Sequence, residues 1–249
     1  MKVCCAGMAA PPATVADGLA LAGKLAGEAR AAGADLLLLP EQFATGWSAT
    51  EPRAEPHILP ALFRTAVEHG IWVVGSCYEG YVRPRNMAYV ISPEGRIAAS
   101  YAKVHLFSPD GEDRACTPGT TPATFEAGGA RFALAICYDL RFPALFTHYA
   151  ACGVDCVLVP AAWPAVRLSQ WDLLVRARAL DGEYYVAGAN AGAGSCIAGP
   201  DGELVGEERG DLVLAEIDLT KISAMRVALP VMKDRRPHLY TAWKNTHEW

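Results

Sequence analysis

Asp35-Leu36-Leu37-Leu38-Leu39-Pro40 is an apolar run with no polar residue at alternate positions, and Glu41 follows it directly. A strand that faces water on one side alternates polar and apolar residues; one buried on both faces has no reason to. At four aliphatic residues, 36–39, the run is also far too short to cross a bilayer, which takes about 20. Similar stretches recur at residues 2–7, 71–78, 86–91, 132–137, 155–160, 184–190 and 212–217. Helical patterns lie between them at 15–32, 58–69, 143–151 and 170–179. Pro143 fits a first helical position, and Gly33, Gly70 and Gly153 fit helix ends. Two segments, Val90-Ile-Ser-Pro-Glu-Gly-Arg-Ile97 and Ile197-Ala-Gly-Pro-Asp-Gly-Glu-Leu204, carry the Pro-acidic-Gly chemistry of a tight hairpin turn. One such device in each half hints at a pseudo-repeat. The expected class is α/β, with mixed sheets covered by helices. No Ser/Gly-rich linker divides the chain, so residues 1–249 read as a single domain.

Composition narrows the function. Of 249 residues, 27 are acidic and 22 basic, a formal net charge of -5 with no basic block. That disfavours nucleic acid and an anionic membrane as partners, because phosphate binding needs clustered Lys and Arg; a small-molecule substrate fits better. The opening MKVCCAGMAAPP lacks the apolar core of a signal peptide, and a cytoplasmic setting is expected. The eight cysteines, at 4, 5, 77, 116, 137, 152, 156 and 196, show no CxxC pairing, so zinc and a disulfide framework are both poor readings. Most sit in apolar runs as small buried hydrophobes.

Three of the strand-like runs deliver a reactive side chain at their carboxyl end: Glu41, Lys103 after Ala98-Ala-Ser-Tyr-Ala102, and Cys137 after Phe132-Ala-Leu-Ala-Ile136. Ligands of α/β sheets bind outside those ends. Taken singly, each residue has an ordinary explanation as a helix-terminal charge, a solvated lysine or a packing thiol. Spacing alone does not decide.

The segments LLLLPEQFATGW, YAKVHLF and LAICYDLRFP resemble, in order, the three motif blocks of the nitrilase-like carbon–nitrogen hydrolase family, and similarity continues through PAAWPAVRLSQWDLLVRARALDGEYYVAGAN to DRRPHLY. The Trp-rich block 162–171 and CYDLRFP most resemble its bacterial ω-amidase branch. The resemblance implies a four-layer αββα sandwich, self-association into a dimer or higher oligomer, no metal or other cofactor, and a Glu41–Lys103–Cys137 triad. It further implies that Glu112 corresponds to an additional glutamate that helps hold the substrate and the lysine; the alternative is an exposed acidic loop residue.

On this reading Cys137 attacks an amide carbonyl, Glu41 is the general base, and Lys103 with the Tyr138 N–H receives the oxyanion. Arg141 and Arg167 are the candidates to pair with a substrate carboxylate, although Arg141 could be locked against Asp139 instead. Phe43, Trp47 and Trp163 are candidate apolar walls, and His105 reads as a structural hydrogen-bonding residue. The expected reaction is hydrolysis of an ω-amide of a dicarboxylic or 2-oxo dicarboxylic acid to acid and ammonia. Within the same chemistry the alternatives are an N-carbamoyl amino acid amidohydrolase and an aliphatic nitrilase. Outside it stand a non-catalytic scaffold and a thiol redox protein using Cys152 and Cys156.

Overall fold

A computed structural model describes residues 1–8 and 11–244. Along the first half run β1 (Lys2–Ala6), α1 (Val15–Ala31), β2 (Leu36–Leu38), α2 (Ile58–His69), β3 (Trp72–Glu79), β4 (Arg85–Ile91) and β5 (Ile97–Ala102). A one-turn helix α3 (Glu112–Ala115) and β6 (Thr124–Ala127) lead into the second half. That half repeats the plan: β7 (Ala130–Leu134), α4 (Pro143–Ala151), β8 (Cys156–Ala161), α5 (Leu168–Gly182), β9 (Tyr185–Asn190), β10 (Cys196–Ala198) and β11 (Leu204–Val205). The chain then forms β12 (Glu207–Arg209), β13 (Leu212–Glu216), α6 (Leu219–Ala228), α7 (Val231–Asp234) and α8 (Pro237–Lys244).

The pseudo-repeat hinted at by the two turns is real. β1, β2 and β3 are parallel and β4 and β5 return antiparallel; β7, β8 and β9 are parallel and β10 and β11 return antiparallel. The sheets are completed differently, by β13 and β12 beside β1 and by β6 beside β7, giving seven and six strands.

Side-chain alternation then sorts the apolar runs into three layers of core. Val3, Cys5, Leu36 and Leu38 point between the sheets and meet Phe132, Leu134, Cys156 and Leu158. Their neighbours Cys4, Leu37 and Leu39 point outward onto Leu25 of α1 and Ile58 and Leu62 of α2. On the other sheet Ala133, Val157 and Val159 pack under Phe146 of α4 and Trp171 and Val175 of α5. The result is the expected αββα sandwich, and it explains why Leu36–Leu39 shows no alternation: both faces are buried, each side chain contributing about 1.5–3 kcal/mol. Among the described residues no helix is long and apolar enough to cross a membrane.

Boundaries moved where local conformation overrides periodicity. The strand expected over 132–137 stops at Leu134, and Cys137 instead opens a 3-10 turn, Cys137–Arg141. The helix expected over 170–179 begins earlier and ends later, closed by Glu183 in a left-handed conformation. The helices of residues 219–244 and strand β6 have no counterpart in the sequence reading. Cys152 caps α4 on the surface while Cys156 lies in β8 facing the inter-sheet core, so the i,i+4 thiols do not share a helix face.

Candidate active site

Glu41, Lys103 and Cys137 follow β2, β5 and β7, and the two sheets bring these strand ends together. Lys103 Nζ donates to Glu41 Oε1 at 2.9 Å and to Glu112 Oε2 at 2.8 Å, with all three side chains buried. Two carboxylates around one ammonium leave excess negative charge in a dry site, which is costly unless every lone pair finds a donor. Donors are supplied. Asn86 Nδ2 bridges Glu41 Oε1 at 2.8 Å and Glu112 Oε1 at 3.0 Å. Backbone N–H groups of Ala162 and Phe107 donate to Glu41 Oε2 at 3.0 Å and Glu112 Oε2 at 2.7 Å. Asn86 is oriented in turn by Gln42 Nε2, 2.9 Å from its Oδ1, and by Ser76 Oγ. Lys103 itself is held at the backbone, its carbonyl accepting from Gly119 at 2.8 Å. A Cβ on Gly119 would collide with the Ala102 carbonyl, so this approach requires glycine.

The nucleophile candidate sits on a strained turn. Cys137 has φ 46° and Gln42, next to Glu41, has φ 52°, left-handed values that cost a non-glycine residue about 1–3 kcal/mol and persist only where surroundings enforce them. Glu41 and the Ala162 N–H, which donates to Glu41 Oε2, are the groups that act on the Cys137 thiol together with Lys103. Burial, reinforced by the Glu41 charge and only partly offset by Lys103, pushes that thiol well above its ordinary pKa. It therefore rests as a thiol and needs a base when it attacks. Burial works against the Lys103 ammonium, but Glu41, the Cys137 sulfur and Glu112 outweigh it and hold the lysine well above its usual value. Its positive charge is secure at neutral pH.

Around the thiol lies a cavity of about 180 Å³ lined by Lys103, Cys137 and Tyr138, by Trp47, Phe107 and Trp163, by Arg141 and Arg167, and by one acidic residue, Asp110. Arg141 lies over the Trp163 ring, Cζ 4.8 Å from its centroid, with one nitrogen donating to Gln170 Oε1 at 2.6 Å. Arg167 lies over Phe107 at 5.4 Å. Among the described residues neither guanidinium has a carboxylate within ion-pair distance. The proposed Arg141–Asp139 lock is absent because Asp139 is taken up by Tyr101 and His105. His105 is the structural hydrogen-bonding residue expected of it. Phe43 is not in this cavity: it packs in the helix-side core with Leu62 and lines a neighbouring cavity of about 270 Å³ that shares Trp47 and Trp163 and is also lined by Glu41. Glu112 is fully buried behind Lys103, away from the cavity lining, and is no exposed loop residue. Asn86, Gln42 and Phe107 escaped the sequence reading. For Asn86 a signal existed, a lone amide inside the apolar strand run, since a buried polar side chain needs partners.

Burial opposes ionisation of Glu112, but Lys103 and the Asn86 and Phe107 donors win and hold its carboxyl below the usual range. A depressed folded value contributes stability above the unfolded carboxylate pKa, near 4.3, and that stability is lost as pH falls through the folded value. Urea denaturation of the wild type should therefore show stability falling below about pH 5, with a shallower decline in Glu112→Gln. An identical slope in the two proteins would contradict the Lys103–Glu112 assignment.

The family model described as carbon-nitrogen hydrolase matches residues 2–227. A 2-oxoglutaramate amidase of Bacillus subtilis is 33% identical over 230 residues, covering 83% of this chain and 87% of its own. A solved structure of a double mutant of the amidase from Nesterenkonia sp. AN1, in complex with acrylamide, superposes with a TM-score of 0.86 at 29% identity, covering 98% of this chain and 97% of that one. Another mutant of that amidase, with the acetamide moiety of fluoroacetamide added covalently at the active site cysteine, matches at a TM-score of 0.84 and 28% identity, covering 98% and 96% of the two chains.

Proposed function

The chain belongs to the carbon–nitrogen hydrolase family, and from that premise we propose that it hydrolyses small ω-amides of dicarboxylic or 2-oxo dicarboxylic acids to the acid and ammonia. The observation that carries the substrate reading is the cavity itself. A thiol and an ammonium lie in one small space with two guanidiniums that have no carboxylate partner among the described residues. A cavity of about 180 Å³ suits a substrate of few heavy atoms. A primary amide at Cys137 with a free carboxylate toward Arg141 and Arg167 uses the three cationic groups of the lining, Lys103 and the two arginines.

In this mechanism Glu41 takes the Cys137 proton as sulfur attacks the amide carbon. The oxyanion that develops is met by the Lys103 ammonium and the Tyr138 N–H, in a site where water no longer screens them. The protonated Glu41 returns its proton to the nitrogen, the C–N bond breaks, and ammonia leaves a thioester on Cys137. Water enters, Glu41 removes its proton, and the acid departs with the thiol restored. Glu112 fixes the lysine. Trp163 and Tyr138 form walls. The eight unpaired cysteines support a reducing, cytoplasmic setting. Exposed Val166, Leu173 and Leu180 at and on α5 support self-association into a dimer or higher oligomer.

An ammonia-release panel over succinamate, 2-oxoglutaramate, N-carbamoyl amino acids, aliphatic nitriles and uncharged propionamide tests this reading. Turnover should be fastest on the carboxylate-bearing amides; a preference for the carbamoyl or nitrile substrates would replace the reading with those alternatives. In the same panel Arg141→Met and Arg167→Met should separate carboxylate binding from chemistry. Loss of a bidentate charge-assisted pair is worth about 1.5–3 kcal/mol, or roughly tenfold or more in KM for succinamate. KM for propionamide should not move. Equal effects on both substrates would take these arginines out of carboxylate recognition.

A further inference from the structure

Asp139 is fully buried within the turn that begins at Cys137, and its two oxygens accept four hydrogen bonds from two separate parts of the chain. Oδ2 takes the Tyr101 hydroxyl at 2.8 Å and the Ile136 N–H at 2.9 Å. Oδ1 takes the backbone N–H of His105 at 2.9 Å and its ring Nδ1 at 2.7 Å. Because a carboxylate only accepts, the imidazole proton must lie on Nδ1. Ile136 immediately precedes Cys137, while Tyr101 and His105 stand two residues either side of Lys103. One carboxylate thus joins the backbone entering the nucleophile turn to both flanks of the lysine. The joint is braced: the His105 ring stacks on Phe142 at 3.7 Å with planes 6° apart, and Arg178 Nε holds the Leu140 carbonyl of the same turn at 3.0 Å.

We propose that Asp139 is a positioning residue for catalysis, fixing the Cys137 turn against the Lys103 strand end so that thiol, base and ammonium keep their mutual geometry. The inference rests on the cysteine-amidase reading above. Its physical basis is the left-handed backbone at Cys137, which relaxes unless something restrains the residues around it. Asp139 restrains the residue before it, and through Tyr101 and His105 it references that restraint to Lys103. Core packing alone would be served as well by an amide. This arrangement would not, because both oxygens face only donors: however an asparagine turns, its NH₂ meets either the Tyr101 and Ile136 pair or the His105 pair.

The test measures Asp139→Asn and Tyr101→Phe for kcat, KM, thermal stability and site-resolved alkylation by iodoacetamide, with exposed Cys152 as the internal control. A shift of the nucleophile by an ångström costs on the order of a hundredfold in rate. Asp139→Asn should therefore lose about a hundredfold in kcat with KM within about threefold, and Cys137 alkylation should slow at least about tenfold while Cys152 is unchanged. Tyr101→Phe, which removes one donor and leaves the carboxylate, should move both quantities in the same direction by less. Folded Asp139→Asn with Cys137 alkylation and kcat within twofold of wild type would overturn the inference. If that variant does not fold, wild-type alkylation and kcat in Tyr101→Phe would do the same. Wild-type Cys137 that is inert to iodoacetamide, together with an active Cys137→Ala, would overturn the amidase mechanism and this inference together.

Discussion

Cys137→Ala should abolish ammonia release from succinamate and 2-oxoglutaramate, with kcat reduced at least about 10⁴-fold, because no other group near the carbonyl can form the covalent intermediate. The fold should survive. Alanine accepts the left-handed backbone as well as cysteine does, and the thiol lies at the edge of a cavity, not in the centre of a packed layer. Matching thermal unfolding with absent turnover is the expected pair of results. Activity within tenfold of wild type would sink the mechanism, since the remaining seven cysteines lie outside the catalytic cavity. A variant that merely unfolds would be recognised by circular dichroism before any rate was interpreted.

Glu41→Gln carries the second large effect. The carboxylate accepts from Lys103, Asn86 and the Ala162 N–H, and its charge acts on the thiol. Since burial holds Cys137 as a protonated thiol, Lys103 alone does not generate the nucleophile; a group must take the proton. Glutamine keeps the size and loses the basicity. Removing a general base costs typically 10²–10⁴-fold, and here the same group serves both acylation and deacylation, so kcat should fall toward the upper end of that range. On the proposed substrate placement KM should change little, because Glu41 does not line the cavity around the thiol and the two arginines. Measurement of kcat decides the role: a value within about threefold of wild type would take Glu41 out of proton transfer.

Much of this architecture is legible before any coordinates. Runs such as Leu36–Leu39 declare double-sided burial by their lack of alternation, and the two Pro-acidic-Gly turns mark equivalent hairpins in the two halves. Helix α2 and helix α4 lie at the expected residues, since Pro143 and Gly70 punctuate the chain through local backbone preference alone. The terminal helices were not legible. α6 buries only Ile222 among its described side chains, so it presents little apolar stripe to read.

The site divides along the same physical line. Strand-end position and ordered resemblance to family motifs pointed to Glu41, Lys103 and Cys137, and the structure brings Glu41 and Lys103 into contact across 62 residues. Phe43 lines the neighbouring cavity with Glu41, Trp47 and Trp163, because a side chain's face depends on how the loop after β2 turns, which no local period records. Arg141 was left between two partners for the same reason. Whether it meets Asp139 or an open cavity depends on Tyr101 and His105, which reach the same carboxylate from another strand. By itself, then, the sequence determined what is locally encoded: strand burial, turns, helix ends and the identity of the reactive groups. Only the tertiary structure decided which donors satisfy the buried charges, which arginines stay unpaired and how far the Cys137 thiol is raised. Those properties arise from groups that are distant along the chain and meet only when the two sheets pack.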